Sequence, residues 1–278
     1  MHDVRRVRLD WLAHEWRVQI EESFETPSST IAYGRRDRER VVIKAVNGPN
    51  DEWHSGAVLK AFGGYGVVRV LEHVDGAMLL ERLDPGTSLV DLMQNGRDED
   101  ATAILAGVIA AMSPSAAPPT SPTVIDWSRG FERYRLTGDT QVPRALVDKA
   151  ARVYTELCTS QQNVRLLHGD LHHYNVLLDT NRGWTAIDPK GVVGEIEYEI
   201  GAAMRNPVDL PDTITDRRII DARLDRYCST LHLNRERMLA WTFSQAVLSA
   251  IWGVEDGYAV GSDNEALRVA AVLDRMVA

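Results

Sequence analysis

Leu166-Leu-His-Gly-Asp-Leu-His-His-Tyr-Asn-Val-Leu-Leu178 has apolar pairs at both ends and a polar centre. Three histidines, an aspartate and an asparagine fall between His168 and Asn175. Such a stretch reads as a metal-ligand cluster, a polar turn, or a loop that carries catalytic groups. The residues around it decide among these.

Downstream, Val176-Leu-Leu178 and Trp184-Thr-Ala-Ile187 are β-prone runs joined by the turn Asp179–Gly183. A hairpin there returns Asp188 to the neighbourhood of Asn175. Asp170, Asn175 and Asp188 then match what phosphoryl transfer needs. Asp170 receives the acceptor hydroxyl's proton, and Asn175 supplies an amide oxygen for Mg²⁺. Asp188 is a second carboxylate for the metal that bridges the phosphates. Carboxylate and amide oxygens suit this hard cation. Upstream, such a site needs a strand lysine for the α/β-phosphates and a helix glutamate to hold it. Lys44 ends the run Val41-Val-Ile-Lys44, and Glu52 opens the next helical pattern. The run Leu79-Leu-Glu-Arg-Leu83 lies where an adenine takes backbone hydrogen bonds, near Glu81 and Leu83.

Further out, the first part reads as strands with one helix. Trp16–Ile20 alternates weakly, and 30–33, 41–46, 67–71 and 77–80 are β-prone, the last two forming a hairpin at Asp75-Gly76. A helical pattern covers about 51–62. After Asp84-Pro-Gly86 the texture turns helical, at about 87–95, 99–112, 126–136, 143–161 and much of 198–278. A proline-rich connection, Ser113–Pro122, interrupts it. The expectation is an α+β protein with two lobes: residues 1–83 as a small β-rich nucleotide-binding lobe, and 84–278 as a larger helical lobe with the catalytic loop and substrate site. A cleft between lobes is the usual place for a ligand.

The whole chain fits this outline. It has 278 residues, 44% hydrophobic and 26% charged, which is ordinary for a globular protein. The net charge of −9 argues against nucleic acid and anionic membranes as partners and is compatible with a cationic small substrate. No window approaches a transmembrane span, and the charged N-terminus lacks a signal peptide's apolar core. The expectation is a cytoplasmic monomer. Cys158 and Cys228 read as free thiols.

His168-Gly-Asp170-Leu-His-His-Tyr-Asn175, followed by Ile187-Asp188-Pro189, resembles the aminoglycoside phosphotransferase family. Gly183–Glu195 is similar to its streptomycin 6-phosphotransferase and hydroxyurea phosphotransferase branch. The resemblance runs from about Lys44 to about Asp256 and is strongest at 165–207. It implies a protein-kinase-like fold and transfer of phosphate from ATP, with Mg²⁺, to a hydroxyl of a small, often cationic antibiotic. Two departures stand out. The segment Ser23–Thr30, where a phosphate-covering loop belongs, has no G-x-G-x-x-G; Ser28, Ser29 and Thr30 would cap the phosphates instead. Asp188 is followed by Pro-Lys, and no Ala-Pro-Glu segment occurs, which argues against a protein kinase.

For a guanidinium-bearing acceptor, carboxylates are the natural partners. Glu195, Glu197, Glu199, Glu255 and Asp256 are the candidates, with Trp252 as an aromatic platform and His172 on the substrate side. His168 is expected to hydrogen-bond the loop backbone. Hydroxyurea or another metabolite alcohol is the alternative acceptor. A nucleotide-binding pseudokinase module and a zinc hydrolase built on the histidines are the readings from other classes.

Overall fold

The computed structural model describes residues 2–277. Helix α1 (His2–Glu15) leads into a sheet of β1 (Gln19–Glu25), β2 (Ser29–Arg36), β3 (Glu39–Val46), β4 (Val70–Val74) and β5 (Ala77–Glu81), with α2 (Ser55–Phe62) between β3 and β4. The order is β1-β2-β3-β5-β4, and every pair is antiparallel.

The two-residue period of β3 sets the lobe's layers. Val41, Ile43 and Ala45 point one way, into a core with Leu9, Leu12 and Ala13 of α1. Val42 and Lys44 therefore point the other way, into the cleft. The weakly apolar α1 was not expected from the sequence. It is a polar helix that, among the described residues, buries Leu9, Leu12 and Ala13.

Beyond Leu83 come β6 (Pro85–Ser88), α3 (Val90–Gln94), α4 (Asp98–Ala111), α5 (Val124–Thr137), α6 (Arg144–Thr159), β7 (Val164–Leu167), β8 (Val176–Asp179), β9 (Gly183–Ala186) and β10 (Val192–Glu195). Then follow α7 (Gly201–Met204), α8 (Pro211–Thr215), α9 (Arg217–Leu231), α10 (Arg235–Glu255) and α11 (Glu265–Asp274). The two-lobed α+β arrangement is the one expected.

Helix starts follow their caps. Thr123 and Asp126 form a capping box on α5, and Asp216, Asn234 and Asn264 cap α9, α10 and α11. Helix α10 is the centre of the large lobe, with Trp241, Phe243, Val247 and Ile251 fully buried. Each such side chain contributes about 1.5–3 kcal/mol on burial.

Several boundaries differ from the sequence reading. Residues 51–54 are turns, so α2 starts only at Ser55. Val67 and Val68 leave the sheet to join the other lobe: Val68 N–H donates to Ala186 O and Ala186 N–H to Gly66 O. The strand expected at 67–71 therefore runs from Val70. Pro85–Ser88 pairs with β8, so a strand stands where a turn and a helix start were expected. Strands β7 and β10 pair with each other and frame the loop at 168–175.

The lobes share one core. Val58, Leu59, Phe62 and Met78 of the small lobe pack in the same cluster as Leu105, Val176 and Ala186 of the large one. Among the described residues, no helix is long and apolar enough to cross a membrane.

Candidate active site

The cleft between the lobes has a volume of about 420 Å³. Lys44, Glu52, Glu81, Leu83, Ser28, Ser29 and Asp188 all line it, with Val42, Val68, Leu177 and Ile187 as apolar walls. Lys44 is 5% exposed. Its Nζ lies 2.9 Å from Glu52 Oε2 and 2.8 Å from Asp188 Oδ1. Burial opposes its charge, but Asp188 and Glu52 outweigh that and hold its pKa above the usual lysine range. The turn at 51–54 presents Glu52, and Ser55 Oγ donates to Pro189 O at 2.6 Å, fixing α2 against the Asp188 segment.

At the junction of the lobes, the Glu81 carboxylate is occupied. It accepts from Arg69 N and Nε, both at 2.8 Å, and from Arg182 of the β8–β9 turn. Among the described residues, the Leu83 N–H and C=O have no partner, so its peptide edge is free for a purine. The β1–β2 turn closes on itself: Thr26 N–H donates to Ser29 O at 2.8 Å, and Ser29 N–H to Thr26 Oγ1 at 2.9 Å. Ser28 Oγ is 3.4 Å from Glu52, and Thr30 Oγ1 is 3.4 Å from Asn47 Oδ1. This tight hairpin stands in the place of a glycine-rich loop.

The catalytic loop is held from within. His168 Nε2–H donates to Ile187 O at 2.8 Å, and its Nδ1 accepts from Asp170 N–H at 3.3 Å. Burial drives its pKa down to about 4, so it is neutral. Both ring nitrogens are used, and neither is left for zinc. Among the described residues, no three His, Cys, Asp or Glu side chains gather as a metal cage. Lys190 N–H and Gly191 N–H both donate to His168 O at 3.0 Å. Gly191 has φ +75°, and a Cβ there would sit 2.3 Å from Val58 Cγ2, so only glycine fits this approach to α2.

Asp170 is about a quarter exposed, with Oδ1 3.8 Å from His172 Nε2 and Oδ2 3.7 Å from Lys190 Nζ. Burial works against its charge, but Lys190, then His172 and Arg205, hold the carboxyl below the usual range. Asn175 Nδ2 donates to Asp170 O at 2.9 Å. That orients the amide and leaves Oδ1 as the atom available to a cation. Ile187 N–H donates to Asn175 O at 2.9 Å, which sets the Asp188 segment beside the loop. Asp188 has φ +57°, a strained backbone for a non-glycine residue.

Three of the acids expected to bind the acceptor are held in the interior. Glu199 is 2% exposed and sits behind the catalytic loop. Its oxygens accept from His168 N–H at 2.7 Å and Gly169 N–H at 3.0 Å. Burial raises its pKa to about 7 against these two bonds. Glu197 is also buried and accepts from Asn234 N–H at 3.3 Å. Glu195 is fully buried in a two-pronged pair with Arg237. These three are interior struts, a correction to their reading as substrate contacts. Glu255 is held by Arg133 at 2.9 and 3.0 Å. Asp256 is exposed and has no side-chain partner among the described residues.

Trp252 is half-buried, edge-on to Trp127 at 5.5 Å, and 5.9 Å from Lys190 Nζ. It flanks the Asp170 side of the site with Trp127. Sequence reasoning missed Lys190, Trp127 and Arg205. Lys190 was within reach of it, two positions beyond Asp188.

Residues 15–257 match the family described as Aminoglycoside/hydroxyurea antibiotic resistance kinase. The streptomycin 3''-kinase of Klebsiella pneumoniae is 32% identical over 249 residues, spanning 87% of this chain and 91% of that one. The streptomycin 6-kinase of Streptomyces griseus is 30% identical over 238 residues, spanning 80% and 74%. In fold, a solved structure of the aminoglycoside phosphotransferase APH(4)-Ia, in complex with ADP and hygromycin B, superposes with a TM-score of 0.65 at 16% identity, covering 95% of this chain and 97% of that one.

Proposed function

From the premise that this chain belongs to the aminoglycoside/hydroxyurea antibiotic resistance kinase family, we propose that it phosphorylates a hydroxyl of a small cationic aminoglycoside of the streptomycin type, using Mg-ATP. It is a phosphotransferase with an alcohol group as acceptor. The observation that carries the reading is Lys44, which joins Glu52 and Asp188 at 2.9 and 2.8 Å beside a cleft of nucleotide size. The acceptor hydroxyl is left open between positions, since relatives named for the 3'' and the 6 position both match at similar identity.

Residues 1–83 would hold the nucleotide, with Leu83 meeting the adenine edge and Lys44 steadying the α/β-phosphates. Asn175 Oδ1 and an Asp188 oxygen fit Mg²⁺, which takes oxygen donors and completes its shell with phosphates and water. When bound, the ion neutralises phosphate charge. Asp170 orients the acceptor hydroxyl and takes its proton. His172 borders that hydroxyl. Most of the rate gain comes from positioning and charge complementarity. We place the protein in the cytoplasm, as a monomer.

The test is ADP release from Mg-ATP with streptomycin, hydroxyurea, a kanamycin-type aminoglycoside or no acceptor. Streptomycin-dependent release, cut about 10²–10⁴-fold by Asp170→Asn, is expected. Release with hydroxyurea alone would move the assignment to the alternative acceptor that the family description also names. ATP binding with no release would leave a nucleotide-binding module.

A further inference from the structure

Lys190 follows the metal segment by two positions and meets three parts of the molecule. Its Nζ is 3.7 Å from Asp170 Oδ2 on the catalytic loop and 3.6 Å from Asp51 Oδ2 on the small lobe. It is also 5.9 Å from the Trp252 ring centre on α10. Neither carboxylate is within hydrogen-bonding distance. Among the described residues, the nearest acceptor to this ammonium is Asp51, a long contact at 3.6 Å, although the lysine side chain is only 28% exposed. A lysine has three donors and normally engages them when half-buried. Lys44 instead holds its two carboxylates close, at 2.9 and 2.8 Å.

Resting on the phosphotransferase reading, we infer that Lys190 is a catalytic residue that donates to a non-bridging oxygen of the phosphoryl group during transfer. Asp170 marks where the acceptor hydroxyl sits. Lys190 does not line the Lys44 cleft but an adjoining hollow with Asp51 and Trp127, and a cation 3.7 Å from the Asp170 carboxylate would stand beside the acceptor oxygen and the phosphorus it attacks. The transferring group spreads negative charge over its three equatorial oxygens. Lys190 meets that charge with donors the protein leaves unengaged. In the step, the acceptor O–H proton passes to Asp170 and a bond forms from the acceptor oxygen to the γ-phosphorus. The bond from that phosphorus to the β–γ bridging oxygen breaks, and ADP leaves with the electron pair. Lys190 keeps its proton throughout. Asp51, on an exposed turn, holds the ammonium between turnovers without sequestering it.

The test compares Lys190→Met, Lys190→Arg and Asp51→Asn with the wild type. The assays are acceptor-stimulated ADP release and acceptor-free hydrolysis of Mg-ATP. Lys190→Met is expected to lower kcat about 10²–10³-fold, the usual loss for one preorganised donor, with the KM for ATP and the affinity for ADP within about threefold of wild type. Lys190→Arg restores at least a tenth of the rate, and Asp51→Asn stays within about threefold. Three results overturn the assignment: unimpaired kcat in Lys190→Met, a loss confined to the acceptor KM, or an Asp51→Asn loss equal to that of Lys190→Met, which would make Lys190 a brace between lobes. A wild type silent in both assays would instead remove the phosphotransferase reading, and this inference with it.

Discussion

Lys44 Nζ and Asp188 Oδ1 are 2.8 Å apart, although one belongs to a sheet strand of the small lobe and the other to the metal segment of the large lobe. One buried ammonium thus ties β3 to the Asp188 segment. On the proposed roles, the pairing couples two demands of the chemistry, because the cation that would steady phosphates also fixes the position of Asp188. Ser55 Oγ to Pro189 O and Val68 N–H to Ala186 O repeat the link on either side. The back of the cleft is therefore built on contacts that join the two lobes.

Glu52 braces Lys44 from the small lobe at 2.9 Å. Glu52→Gln removes the charge of that brace, and Lys44 is expected to lean on Asp188 alone. A hydrogen bond to a charged group contributes about 1.5–3 kcal/mol, and Glu52 is partly exposed, so the lower end applies. The expected result is a KM for ATP raised about tenfold, with kcat within about threefold. Steady-state kinetics at saturating acceptor measure both, and an unchanged KM would show that Lys44 needs no second carboxylate.

Glu199 clamps the start of the catalytic loop through His168 N–H and Gly169 N–H. Glu199→Ala leaves both donors without a partner inside the protein, at about 1–3 kcal/mol each. The variant is expected to lose about 2–6 kcal/mol in urea unfolding and to be nearly inactive at temperatures where it is still folded. A variant of wild-type stability with only a raised acceptor KM would return Glu199 to the substrate side.

The constellation of Lys44, Glu52, Asp170, Asn175 and Asp188 was legible because each residue sits in a short run with its own pattern. The β-prone strand ending in Lys44 and the hairpin before Asp188 are local signals, and the fold brings them together. The acids at 195, 197 and 199 were not legible. Their partners, Arg237, Asn234 N–H and His168 N–H, lie 31 to 42 positions away. A run of alternating glutamates reads as a solvated edge until those partners are known. Helix α1 was hidden by its charges, and β7 and β10 by their four-residue length.

Arg237 and Glu195 test the same point energetically. Glu195 is fully buried, and both its oxygens take guanidinium hydrogen bonds. Removing one partner of a buried pair costs about 3–5 kcal/mol, because the other charge stays buried. Arg237→Met is expected to lose that much, and the double variant Arg237→Met with Glu195→Gln to recover part of it. Acceptor KM in Glu195→Gln should stay at the wild-type value. A raised acceptor KM with unchanged stability would contradict the strut role.

His168 makes acid stability a property of the catalytic loop. Its ring is buried and neutral, with a pKa near 4 against an ordinary 6.5. A group with a depressed folded pKa contributes stability above its unfolded pKa and loses it as pH falls toward the folded one. The window is thus pH 6.5 down to 4. At about 1.4 kcal/mol per pH unit, roughly 2 kcal/mol is gone by pH 5. His168→Gln still offers an N–H to Ile187 O but binds no proton in this range. The variant should be less stable than wild type at pH 8, and the gap should shrink by about 2 kcal/mol at pH 5. Urea unfolding of both proteins at the two pH values measures it. The subtraction cancels the acid response of every other group, including His172 and His173. A gap that stays constant between pH 8 and pH 5 would mean that the ring titrates alike in the folded and unfolded chain, and a gap that widens would mean that its bond to Ile187 O is made by an imidazolium.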